Sequence, residues 1–173
     1  MSKKITFSLS EDGIDKAIRE LERFKEEFTR KVEVFRQKVA ERIADEARSG
    51  FSGATVDDLI KGGSPRTADV TVRTDERGKL SVVIADGEDA VWVEFGAGVY
   101  HNGAAGSSPH PHGAELGFTI GSFDKGNGKR KVWGFYEDGE LVLTHGTPAV
   151  MPMNRALISV CENLADIAKE VFG

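Results

Sequence analysis

The feature that most constrains this chain is an unbroken amphipathic helical pattern over residues 12–49. Ile14, Leu21, Phe28 and Phe35 recur every seven residues, and Ile18, Val32, Val39, Ile43 and Ala47 fill the intervals. Together they draw one apolar stripe along a charged rod. Ser10 or Asp12 is the expected cap, acidic residues occupy the first turn where the helix dipole favours them, and Gly50 is the expected stop. Such a helix would reach roughly 55 Å, whereas a compact globule of this length is only about 40 Å across. Either the helix bends over a sheet, or it projects past the core and its stripe is covered by a neighbouring copy. No Pro or Gly lies between Ile14 and Ser49 to cause a sharp kink.

After the helix the apolar period changes. A first short strand, residues 3–9, is expected ahead of it, with Ile5, Phe7 and Leu9 on one face. Residues 50–67 read as a connection with one helical turn at 56–60. Strands are expected near 68–74, 79–86, 90–96, 131–137 and 140–144, with turns at 75–78 and at Asp138-Gly139. A last helix enters at Pro152 and runs to about 171, burying Met153, Leu157, Val160, Leu164, Ile167 and Val171. The fold class is therefore α+β, with the two helices packed on one antiparallel sheet, in a single domain spanning 1–173. The glycine-rich stretch 97–130 is expected to be a flexible insertion, cut first by proteases at Lys125, Lys129, Arg130 or Lys131.

Composition excludes several function classes. At 39% hydrophobic and 29% charged residues the chain suits a folded domain. No run of eighteen apolar residues exists to span a membrane, and the basic start "MSKKITFSLSEDG" lacks the apolar core of a signal peptide. Cys161 is the single cysteine, which excludes an internal disulfide and fits a reducing compartment; its apolar neighbours make it a packing residue. A net charge of −5 argues against general affinity for nucleic acid.

Candidate chemistry is sparse. His101, His110, His112 and His145 fall close together, but no third and fourth zinc ligand stands at characteristic spacing. Solvated loop histidines are the simpler reading. Asp86, Glu88, Asp89 and Glu94 have no accompanying nucleophile-and-base pair. "KGNGKRK", residues 125–131, lacks the GxxxxGK[ST] pattern of a phosphate loop. No catalytic residue, metal ligand or cofactor-binding residue is assigned.

Four segments in order resemble the tail-component proteins of long-tailed bacteriophages and prophages, which act in tail completion at the head–tail junction. They are the amphipathic region ending near "IADEARSGF", the segment "VWVEFGAG" at 91–98, the glycine-rich stretch after it, and "GTPAVMPMNRAL" at 146–157. The second is similar to the family's E-F-G-T segment, which follows an aromatic residue, and the last to its PAxPF lead-in to the final helix. Ala97 departs from the usual Thr, Met153-Asn154 from the usual Phe-aliphatic pair, and Ala156 from a usual Pro; the family's TGxLxxSI segment is only faint in "GATVDDLIKG".

The resemblance implies a virion structural protein without enzymatic activity or cofactor. It would be made in the bacterial cytoplasm and form a ring between the head–tail connector and the tail tube, with DNA passing only through the lumen. The expected subunit contacts are Trp92, Glu94, Phe95, Gly96, Pro148, Met151, Pro152 and Arg155. If 90–96 is a strand, Trp92 and Phe95 lie on opposite faces, and one is left as an anchor for a neighbour. Arg155, at the unfavourable end of the helix dipole, would be received by a carboxylate such as Glu94, or else be solvated. The competing readings are a small metal-dependent hydrolase using the histidine loop, and a monomeric prophage accessory protein that binds a host partner.

Overall fold

A computed structural model describes residues 6–56, 64–65, 68–75, 79–96, 100–101, 104–105, 109–113, 115–116, 132–147 and 149–173. The elements in order are α1 (Glu11–Ser52), β1 (Thr55–Val56), β2 (Ser64–Pro65), β3 (Asp69–Thr74), β4 (Ser81–Asp86), α2 (Ala90–Phe95), β5 (Tyr100–His101), β6 (Ala104–Ala105), β7 (Trp133–Glu137), β8 (Glu140–Thr144), α3 (Pro152–Glu162) and α4 (Leu164–Phe172). The class is α+β, with a long amino-terminal helix and a helical carboxyl terminus. Among the described residues the single sheet expected from the strand pattern is replaced by separate antiparallel pairs: β1–β2, β3–β4, β5–β6 and β7–β8.

Helix α1 is continuous over 42 residues, or roughly 63 Å. Ser10 is the cap, its side chain accepting from Gly13 N at 3.2 Å, and Glu11 and Asp12 occupy the first turn. Ahead of the cap, residues 6–8 form no strand, and Phe7 and Leu9 are exposed.

At its other end the helix passes through Gly50 and stops at Gly53. Gly50 is a point of close approach instead. A Cβ placed there would stand 2.7 Å from Cβ of Pro152, on α3. One further turn buries Phe51 to 1% exposure, which outweighs the ~1 kcal/mol cost of an internal glycine. Gly50→Ala is accordingly expected to lower stability by about 1–2 kcal/mol, because overpacking exceeds the gain in helix propensity. Thermal denaturation checks it; an unchanged or raised Tm would show that the two helices have room to separate.

The core sits at the carboxyl-terminal half of α1. Ala44, Ala47, Phe51, Ala54, Val70, Ala90, Val93 and Ala156 form one buried cluster, flanked by Ile43, Val72, Val83, Val150 and Met153. The α1 residues with the least exposure are alanines, which let α3 approach closely across Ala156 and Val160. This alanine face lies about a third of a turn from the Ile14–Leu21–Phe28 line. The Ile14–Leu21–Phe28 line of the stripe is therefore not the buried face, and only its later members Ile43 and Ala47 reach the core.

The β3–β4 pair runs in register from Asp69↔Asp86 to Thr74↔Ser81 and also lies on α1. Arg48 Nε donates to Val70 O at 2.9 Å and Arg36 Nε to Ser81 Oγ at 3.1 Å, fixing the hairpin to the helix. Asp75 Oδ1 ties its loop end by accepting from Lys79 N and Leu80 N, both at 2.6 Å. The β7–β8 turn falls at Asp138-Gly139 as expected, both residues having positive φ (52° and 81°) as a two-residue hairpin of this hand requires.

The carboxyl-terminal helix is broken at Asn163, whose Nδ2 donates to Ser159 O at 2.8 Å. Its buried line is Pro152, Ala156, Val160 and Ile167, while Leu157 and Leu164 face outward. Cys161 is exposed and packs no core. Phe172, at the end of α4, reaches back to Phe28 and Phe35, with ring centroids 5.9 and 5.8 Å away. Lys38 and Arg42 meet Glu170 at 3.2 Å each, but all three side chains are about half exposed. Glu170→Ala should cost no more than about 1 kcal/mol in chemical denaturation; a larger loss would mean that the pair locks α4 onto α1.

One other expectation is revised. Val56 is in β1, not in a helical turn, and the rest of that turn lies outside the described residues. Most of 97–130, with its protease sites, also lies outside them; within it β5 pairs with β6, and residues 109–113 and 115–116 are described.

Candidate functional site

The segment 90–96 is the main departure from the expected strands: it is helix α2. Ala90, Val93 and Glu94 are the buried positions, spaced i, i+3 and i+4. In a strand, Val93 and Glu94 would point to opposite faces; one helical turn sends both inward. Val93 O then accepts from Val150 N at 2.9 Å and Met151 N at 3.4 Å, tying the start of α3 to α2.

Glu94 completes the junction. Its side chain is buried, and Oε2 accepts from Met153 N at 2.8 Å while Oε1 accepts from Asn154 N at 2.9 Å. These are backbone N–H groups of the first turn of α3, which an N-cap side chain would ordinarily satisfy. Met151 is the N-cap here, in a left-handed conformation (φ 56°) and with no side-chain cap of its own. Pro152 follows it and has no N–H to satisfy. A carboxylate from 59 residues earlier therefore caps this helix, at the end where the dipole favours negative charge.

His110 is the third partner, and it is buried, not a solvated loop histidine. It is 8% exposed, and Nε2 stands 3.1 Å from Glu94 Oε1. Its Nδ1 accepts from His112 N at 3.1 Å, so Nε2 carries the proton and donates to the carboxylate. The ring also packs on Phe95, with centroids 4.3 Å apart. Glu94 thus joins three segments distant in sequence: α2, the start of α3, and the histidine segment. No spacing in the sequence signals this, since the partners of Glu94 are mostly backbone groups.

The other candidate residues divide clearly. Trp92 is 38% exposed and Phe95 half-buried. Three residues apart on a helix, they lie on neighbouring parts of its surface and not on opposite faces. Gly96 is buried with φ 80° and ends α2. Met151 and Pro152 belong to the junction, and Pro148 lies outside the described residues. Arg155 is exposed and is not received by Glu94, whose oxygens are taken by Met153, Asn154 and His110.

In geometry, the Glu94–His110 arrangement is a clasp that holds three segments together. Two of the carboxylate's three contacts are hydrogen bonds from backbone N–H groups of α3, and the third is to the His110 ring. Among the described residues no group of three or more His, Cys, Asp or Glu side chains could hold a metal ion.

The second site is a surface. Apart from Gly13 and Ala17, no residue of α1 from 11 to 30 is buried. Ile14, Ile18, Leu21, Phe24, Phe28 and Val32 are 42, 48, 54, 43, 51 and 40% exposed. Phe28 meets α4 through Phe172, its ring centroid 5.9 Å away. Of the two alternatives for the long helix, this is the one in which it projects past the core. Searches against protein families, curated proteins and solved structures find no match to this chain.

Proposed function

We propose that this protein is a structural subunit of the head–tail junction of a long-tailed bacteriophage or prophage, assembling as a ring between connector and tail tube. The observation that carries the assembly part is the apolar overhang of α1. Six large apolar side chains left nearly half exposed along one line form a patch that a monomer has no reason to keep, and such patches mark protein interfaces. The head–tail location rests on the resemblance. Its segments 91–98 and 146–157 meet through Val93 and Glu94, so the two most family-like stretches form one unit of structure. The clasp also leaves Trp92 and Arg155 outward, at the edge of that unit, as candidate contacts for a neighbour.

The test is complementation in the virus that encodes the protein. Trp92→Ala and Arg155→Glu, each shown by circular dichroism to fold, are expected to give filled heads that fail to hold tails. Infectious particles at normal yield from both variants would remove these two residues from the interface. A virus that assembles normally with the gene deleted would remove the head–tail assignment itself.

A further inference from the structure

The exposed stripe of α1 needs an occupant, and its charge pattern selects one. Projected down the helix axis, Ile14, Leu21, Phe28 and Val32 form the centre, with Phe24 at one edge and Ile18 at the other, a band about 120° wide. Glu20 and Glu27 lie beyond the Phe24 edge, Glu27 with Lys31 at 3.8 Å. Lys25 lies within the band, between Val32 and Ile18, exposed and in no ion pair among the described residues, and Glu22 and Asp15 lie beyond the Ile18 edge. We propose that the overhanging half of α1 packs side by side and parallel against the same helix of a neighbouring copy of this chain.

Orientation follows from the edges. Antiparallel pairing brings like edges together, setting Glu20 and Glu27 of one copy against those of the other and Lys25 near Lys25. Parallel pairing brings unlike edges together, and in unshifted register Glu20 of one copy faces Lys25 of the next, the heptad relation that supports parallel helices. The area is adequate: six half-exposed apolar side chains offer on the order of 500 Å² per copy, about 1,000 Å² for a pair, where specific interfaces begin. Parallel contacts repeat by rotation about an axis along the helices and so can close a ring, whereas an antiparallel pair imposes a two-fold axis and ends at two copies. The proposal deepens the ring reading above by naming what covers the stripe, and it rests on that reading only for closure.

Cross-linking tests it in the full chain, with Cys161→Ser as background. Under mild oxidation at high protein concentration, Ile14→Cys is expected to form disulfide-linked dimers about tenfold or more faster than Arg23→Cys, on the opposite face of the helix, because pairing raises the effective concentration of the two thiols. Lys25→Glu should slow the Ile14→Cys reaction, and adding Glu20→Lys should restore it. All these positions are exposed, so the core is left intact. Equal rates for Ile14→Cys and Arg23→Cys would overturn the proposal. So would preferential cross-linking of Ile14→Cys to Phe28→Cys in a mixture, the signature of antiparallel pairing. Fast Ile14→Cys cross-linking in a protein whose gene is dispensable for particle assembly would sustain the pairing and remove the virion reading. No such cross-linking in a protein that particles require would do the reverse.

Discussion

Glu94→Ala is expected to destabilise the protein by about 3 kcal/mol, a fall in Tm of roughly 6–12 °C for a domain of this size. The substitution removes three hydrogen bonds at once. The N–H groups of Met153 and Asn154 lose their acceptor at a helix start with no side-chain cap, and His110 Nε2–H loses its partner while buried. Cap removal alone costs about 1 kcal/mol, and each buried donor left unsatisfied adds about as much or more. Glu94→Gln should fall between wild type and alanine, since its amide keeps one acceptor but turns a donor toward one of the three donors already present. Thermal unfolding of the two variants with a His110→Ala control decides it. If alanine and glutamine lose equally little, the cap is not what holds α3 to α2. The same loss should appear as faster amide exchange in the first turn of α3 and around His110, because one carboxylate orders both.

Phe51→Ala is expected to cost still more, about 4 kcal/mol, or roughly 8–16 °C in Tm. Among the described residues Phe51 is the largest fully buried side chain, and it belongs to the cluster shared by α1, β3, α2 and α3. Its neighbours Ala44, Ala47, Ala54, Ala90 and Ala156 are too short to fill the space it would leave, so collapse of the cavity would require whole helices to shift. Leu21→Ala, on the overhang, should cost less than about 1 kcal/mol in the isolated chain, because Leu21 is 54% exposed. The contrast separates the part of α1 that holds the fold from the part that faces outward. A comparable loss at both positions would mean that the overhang is buried within the chain itself.

The sequence alone determined the elements whose signals are local. The 3.6-residue period, Ser10 and the lack of any breaker set α1 to within a turn at each end. Alternation and turn chemistry set β3, β4, β7 and β8 within two residues, and Pro152 set the start of α3. The excess length of the helix over the globule also made an overhang a real alternative, from arithmetic on the chain alone. What the tertiary structure decided depends on contacts between distant segments. "AVWVEFG" has strand-like residues, yet it is a helix because Val93 and Glu94 must both face α3, and burial outweighs a preference worth a kcal/mol or less. Gly50 reads as a stop but is a contact, since only the packed position of Pro152 shows why no Cβ fits there. The sheet divides into pairs because hydrogen bonding between hairpins is not encoded in either hairpin. His110 looked solvated because the carboxylate that binds it lies 16 residues away and is itself oriented by backbone N–H groups. Backbone groups are the same at every residue, so a site built on them leaves no mark in the sequence.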